Sequence, residues 1–152
     1  MAHKTLIGGT AYEISGGKTL IGGTAYSIKG GKTLVDGTAY SLSFLPVITL
    51  TGSAADTSTG GYAKCTINGS TYNAALSSRK YSVPKGTVIT CEVRKPGMQS
   101  GPAKISVNGT VVAQTSSSMM GVETATYEYV VKGNASIHCK VNGFGTIEIT
   151  EK

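Results

Sequence analysis

The chain has 152 residues, enough for one domain or two small ones. Its 21 glycines are about twice the ordinary share yet lack collagen spacing, and only 14% of residues are charged, which excludes charge-driven disorder. Net charge is +6, with no tryptophan and two histidines, a composition of short strands and glycine turns that leaves little material for an enzyme.

A Gly-Gly at positions 8 and 9 interrupts the N-terminus before an apolar run can develop, so no secretory leader is expected. No stretch approaches the roughly 18 apolar residues of a membrane span. The expected product is soluble and made in a cytosol.

A fourteen-residue unit then repeats without a gap, over 4–17, 18–31 and 32–43. Each copy opens Lys-Thr-Leu, and Thr-Ala-Tyr follows the first turn. Gly8-Gly9, Gly22-Gly23 and Asp36-Gly37 suit two-residue type I′ hairpins, whose central residues need positive φ. Gly16-Gly17 and Gly30-Gly31 supply return turns, so the segment reads as a six-strand meander. With Gly8-Gly9 as the loop, Ile7 faces Thr10, Leu6 faces Ala11, Thr5 faces Tyr12 and Lys4 faces Glu13.

One face of that meander carries Ile7, Tyr12, Ile14, Ile21, Tyr26, Ile28, Val35, Tyr40 and Leu42. The other carries Leu6, Leu20 and Leu34 with intervening alanines. A small sheet with two partly apolar faces is marginal alone, so these residues are the expected assembly interface. Cover could come from the rest of the chain, from copies in a symmetric oligomer, or from a host scaffold. Domain boundaries are expected at 1–44 for the repeat and 45–152 for the remainder.

From Val47 the text changes. Val47–Thr51 reads as a strand, and 52–61 reads as a flexible Gly/Ser/Ala stretch. Strands are predicted near 62–67, 71–76, 80–83, 87–94, 103–107, 110–114, 124–131, 135–141 and 145–150. Asn68-Gly69 and Asn108-Gly109 are hairpin turns, and Asn142-Gly143 closes the last pair. Alternation turns Ile105, Val107, Val112, Tyr127, Tyr129, Val131, Ile147 and Ile149 inward. The predicted class is all-β, a short-strand repeat meander followed by an immunoglobulin-like β-sandwich, with a small barrel as the alternative.

Cys65, Cys91 and Cys139 each fall on the apolar side of a period-2 pattern. They read as small buried hydrophobes kept reduced, with a Cys65–Cys91 bridge as the alternative. Arg79, Lys80, Lys85, Arg94 and Lys95 concentrate positive charge, either as a solvated rim or as a patch for a polyanion. Met119 and Met120 stand in a polar loop, either as a surface contact or with one tucked under the sandwich end. His3 and His138 lack a local constellation for a triad, and no phosphate loop or carboxylate cluster is present. No catalytic residue, metal site or cofactor is expected.

The run Lys-Thr-Leu-Ile-Gly-Gly-Thr-Ala-Tyr, repeated ahead of a sandwich, resembles virion structural proteins of tailed phages and prophages of Gram-positive bacteria. Thr66-Ile-Asn-Gly-Ser70, Val83-Pro-Lys-Gly-Thr87 and Tyr129-Val-Val-Lys-Gly-Asn134 resemble the immunoglobulin-like modules such phages append to capsid and tail proteins, and similar phrases recur in bacterial surface adhesins. The resemblance implies a non-enzymatic, multi-copy virion protein, assembled in the bacterial cytoplasm at a tail tip, fibre or baseplate. Capsid decoration is the alternative placement, and the basic loops, apart from the resemblance, leave a carbohydrate- or polyanion-binding adhesion module as a further alternative. Expected partners are further copies, a trimer foremost, and other virion proteins, with a host glycan or wall polymer as a possible receptor. No specific nucleic acid is expected.

Overall fold

A computed structural model describes the backbone of residues 4–7, 10–13, 18–21, 24–27, 31–35, 38–42, 45–56 and 58–152, and the side chains of 45–55 and 58–152. The described chain is all-β and divides into two units, Met1–Phe44 and Leu45–Lys152.

The first unit contains three antiparallel hairpins. β1 (Lys4–Ile7) pairs β2 (Thr10–Glu13), β3 (Lys18–Ile21) pairs β4 (Thr24–Ser27), and β5 (Gly31–Val35) pairs β6 (Thr38–Leu42). Ile7 stands opposite Thr10, Leu6 opposite Ala11, Thr5 opposite Tyr12 and Lys4 opposite Glu13, the register that a two-residue turn dictates. The later copies repeat it, with Leu20 opposite Ala25 and Leu34 opposite Ala39. Among the described residues the ladders join strands only within each hairpin, giving three two-stranded sheets where a continuous meander was expected. The turn glycines 8–9, 16–17, 22–23 and 30 and residues 36–37 lie outside the described residues, as do Ile14 and Ile28. So do the side chains of the expected interface: Leu6, Ile7, Tyr12, Leu20, Ile21, Tyr26, Leu34, Val35, Tyr40 and Leu42.

The second unit is a sandwich of ten strands: β7 (Val47–Asp56), β8 (Tyr62–Ile67), β9 (Ser70–Asn73), β10 (Arg79–Ser82), β11 (Val88–Lys95), β12 (Lys104–Val107), β13 (Thr110–Gln114), β14 (Glu123–Val130), β15 (Ala135–Asn142) and β16 (Phe144–Glu151). One sheet runs β10-β7-β15-β16-β12-β13 and the other β14-β11-β8-β9, so both are open and neither closes into a barrel. Two ladders are parallel, β7 with β15 and β12 with β16. The six-plus-four arrangement is therefore larger than a four-plus-three antiparallel sandwich.

Period-2 alternation builds the core. Ile48 and Leu50 of β7, Ile137 and Cys139 of β15, and Ile147 and Ile149 of β16 pack against Ala63 and Cys65 of β8 and Ile89, Cys91 and Val93 of β11. Burial of each larger aliphatic side chain contributes about 1.5–3 kcal/mol. The Asn-Gly hairpins form as expected: Asn68 and Gly69 have φ of 47° and 77°, and Asn108 and Gly109 have 50° and 83°. β9 stops at Asn73, because its side-chain oxygen accepts from Ala75 N and its carbonyl from Leu76 N, turning the chain.

Two expectations are corrected. Residues 52–56 continue β7, held by parallel pairing to β15 as far as Asn142 opposite Asp56. Gly52 is required there because a Cβ would collide with the Ala74 backbone. Val112 does not face inward and is 38% exposed. Ile105 pairs with Ala113 and Ser106 with Val111, leaving Val112 as the extra residue of a β-bulge.

Strand directions sort the loops into two ends. Leu45–Pro46, the 68–69 and 108–109 turns, 83–87, 131–134 and Lys152 lie at one end, tied together by Val83 N to Pro46 O and Lys152 N to Asn134 O. The 58–61, 96–103, 115–122 and 143 loops lie at the other, and the 74–78 loop joins β9 to β10 on that side.

Candidate functional site

The five basic residues singled out in the sequence are not brought together. Arg79 and Lys80 lie exposed on edge strand β10, and Lys85 is exposed at the end where the chain enters the sandwich. Arg94 is at the opposite end of β11, with its guanidinium 5.8 Å from the Tyr62 ring centroid. Beside it, Tyr62 donates a hydrogen bond to Glu92, which also pairs with Lys64 at 3.1 Å. The Glu92 carboxyl is held below its usual range, chiefly by the Tyr62 hydroxyl.

Lys95 corrects the expected contact list more sharply, because it is fully buried and cannot belong to a surface patch. Its position follows the parity of Ile89, Cys91 and Val93, all buried on the same side of β11. That parity was available in the sequence, but a lysine at a core position is read as exposed because burying a cation is costly. The cost is met by partners. Lys95 Nζ donates to the carbonyls of Ser116 (3.3 Å) and Ser118, and pairs with Glu123 Oε1 at 3.5 Å. Glu123 in turn accepts from Ser116 N at 2.8 Å and from the Ser116 hydroxyl. Those Ser116 bonds, together with the Lys95 charge, hold the Glu123 carboxyl below its ordinary range.

This clasp fixes the 115–122 loop, which carries Met119 and Met120. Both are exposed, at 58% and 83%, so neither is tucked under the sandwich. Met98 joins them from the 96–101 loop, donating its backbone N–H to the Met119 carbonyl at 2.8 Å with φ of 66°. Left-handed backbone at a bulky residue is uncommon and persists where the surroundings hold it. The sequence paired only the adjacent methionines, since Met98 lies in another loop and no local pattern links the two.

His138 lies on the outward face of the six-stranded sheet. Its Nδ1 is 2.8 Å from Thr51 Oγ1 and its Nε2 is 3.2 Å from Ser53 Oγ, both on the parallel neighbour β7. A Ser–His pair is thus assembled across 85 residues, which sequence spacing could not reveal. A hydrolytic triad orients the imidazole with a carboxylate at the second nitrogen, and here a threonine hydroxyl takes that place. On the same face Lys104, Lys140, Thr146 and Glu148 line shallow hollows of about 330 and 270 Å³ that share Lys104 and Glu148.

The three cysteines are free, buried and clustered. Among the described residues no group of histidine, cysteine and carboxylate side chains forms a metal cradle, and no helix is long and apolar enough to cross a membrane.

Set against known protein families, curated proteins and solved structures, the chain matches none of them.

Proposed function

We propose that this chain is a non-enzymatic structural protein of a tailed-phage virion, in which the repeated hairpins attach or oligomerise and the sandwich projects from the particle surface. The observation that carries this reading is the polarity of the sandwich. Leu45 and Lys152, its first and last residues, lie at one end, which leaves the opposite end composed only of loops. A module whose chain enters at one end and whose loops gather at the other suits display. The sequence resemblance and the three-fold repetition of one hairpin register support the same assignment.

Two placements remain within it: a tail tip, fibre or baseplate, and decoration of the capsid. Fractionation of purified particles into tails and capsids, probed with an antibody to the sandwich, tests both. Recovery in tails supports the first and recovery in capsids the second. Absence from both overturns the virion assignment. The five basic residues do not form one surface patch, because Lys95 is enclosed and Lys85 lies at the other end from Arg94.

A further inference from the structure

We infer that Cys65 and Cys139 form a disulfide between the two sheets when the chain meets an oxidant, leaving Cys91 as a free thiol. Cys65 lies on β8 of the four-stranded sheet and Cys139 on β15 of the six-stranded sheet, with their sulfurs 3.6 Å apart in the buried core. Cys91 and Cys139, 26 and 74 residues along the chain from Cys65, thus meet around its one sulfur.

The spacing of the sheets selects the pair. Packed sheets ordinarily stand about 10 Å apart, too far for a disulfide, whose Cα atoms are about 4.4–6.8 Å apart. Here glycines draw the sheets together beside Cys139. On β7 the residue opposite Cys139 is Gly52, where a Cβ would collide with the Ala74 backbone. On β16, Gly145 stands opposite Val141, and a Cβ there would overlap the Tyr62 carbonyl oxygen. Tyr62 opens β8 and Ala74 directly follows β9, so both contacts press backbone of the six-stranded sheet onto the strand pair that carries Cys65. Cys91 is the poorer partner, although its sulfur is 3.5 Å away. It stands directly opposite Cys65 in the antiparallel ladder, where Cβ atoms are about 4.5–5.5 Å apart, and a disulfide needs about 3.8 Å. That bridge would pinch the centre of the four-stranded sheet. A bridge to Cys139 leaves the ladders of both sheets in register.

The chemistry balances with a small disulfide such as oxidised glutathione. On a folding or opening chain, one thiolate attacks the glutathione disulfide, which releases one glutathione and leaves a mixed disulfide. The second protein thiolate attacks the protein sulfur of that adduct and releases the second glutathione. The two thiol protons pass to the two glutathione thiolates, so two protein sulfurs are oxidised and one glutathione disulfide is reduced. All three cysteines are wholly buried, which leaves a glutathione adduct no room in the folded core, so folding favours the closed bridge. The bridge ties residues 74 apart, restricts the unfolded chain and locks the sheets against separation. A chain kept reduced in a cell thereby gains stability on reaching an oxidising medium. The inference holds whether or not the chain belongs to a virion.

The test is refolding of the full chain in a glutathione buffer rich in the oxidised form, then denaturation, alkylation with iodoacetamide and mass analysis. The product is expected to take up one equivalent where the reduced chain takes three. Its tryptic fragment 65–79 is expected to be joined to 133–140, with Cys91 alkylated in fragment 86–94. The oxidised protein is expected to unfold at higher denaturant than the reduced one, with the gain kept in Cys91→Ala and lost in Cys139→Ala. The fragment map is read on the wild type, so the pairing is decided even where a variant fails to fold. A main product joining 65–79 to 86–94, a chain that stays reduced or carries glutathione, or an oxidised midpoint no higher than the reduced one overturns the proposal.

Discussion

Cys65 of the four-stranded sheet and Cys139 of the six-stranded sheet face each other across the core with their sulfurs 3.6 Å apart. Cys91, directly opposite Cys65 in the β8–β11 ladder, adds a third sulfur at 3.5 Å. Cys65 is therefore the one thiol that both neighbours touch. Its hydrogen bonds to Cys139 and Cys91, and then its burial, push its pKa far above the ordinary thiol range. The thiolate is the reactive form, so these contacts passivate Cys65, and burial shields all three sulfurs from reagents.

The folded protein is accordingly expected to resist iodoacetamide at neutral pH, and the denatured chain to take up three equivalents, as read by intact mass. Rapid native modification would show that the cluster opens. Cys65→Ala should cost about 1–2 kcal/mol in a denaturant titration through the cavity it leaves. Cys65→Ser should cost more, because it buries a hydroxyl among sulfurs.

Gly145 of β16 lies so close to β8 that a Cβ would overlap the Tyr62 carbonyl oxygen. Gly145→Ala is expected to destabilise by about 3 kcal/mol or more, since backbone must shift on both sheets. Gly109 has φ of 83° with open space around it, so Gly109→Ala should cost only about 1–2 kcal/mol through backbone conformation. Equal midpoints for the two variants would contradict the close approach.

Lys95→Ala removes the donor that two loop carbonyls and Glu123 share, with an expected loss of about 3 kcal/mol. The Glu123 carboxyl has a folded-state pKa below its unfolded value. Its contribution is therefore present above the unfolded value of 4.5 and is lost as pH falls through the lowered folded value. Hydrogen-exchange protection factors in the 115–122 loop, taken relative to the intrinsic rate at each pH, should fall on acidification below pH 4.5, and in Glu123→Gln they should be low already at neutral pH. A loop equally protected at both pH values would exclude the clasp.

At the opposite end, Tyr129 donates to Glu151 Oε1 at 3.3 Å. Burial, and then the Glu151 charge, push its pKa up to about 12. A phenol whose folded value lies above its unfolded value of 10.0 contributes fully below pH 10 and progressively less as pH rises towards 12. Thermal midpoints should fall over that interval, and Tyr129→Phe should flatten part of the fall. Ultraviolet titration reads the ionisation directly, and a Tyr129 transition near pH 10 would refute the assignment.

The strands from Tyr62 onward were legible because alternation and Asn-Gly turns are local signals, and a two-residue turn leaves one register open to each repeat hairpin. The second half of β7 was not legible. Gly52, Ser53, Ala54 and Ala55 have little strand propensity, and they are extended because β15 lies alongside. Val112 was misread for a similar reason, since the bulge that turns it outward exists only in its pairing with β12. Met119 and Met120 stood out as an oddity of composition, but nothing local connected them to Met98, nor Ser53 to His138.

Alternation and turn chemistry thus decided which side chains share a face and where the chain reverses, because both depend on residues within a few positions of one another. Tertiary structure alone decided which strands became neighbours, including the parallel pairs β7–β15 and β12–β16. It also decided that Lys95 could sit at a core position beneath the methionine loop. A cation is stable there only because Ser116 and Ser118 of the loop and Glu123 at the start of β14, all more than twenty residues away, reach it. The energy of that arrangement resides in non-local contacts, which no local pattern encodes.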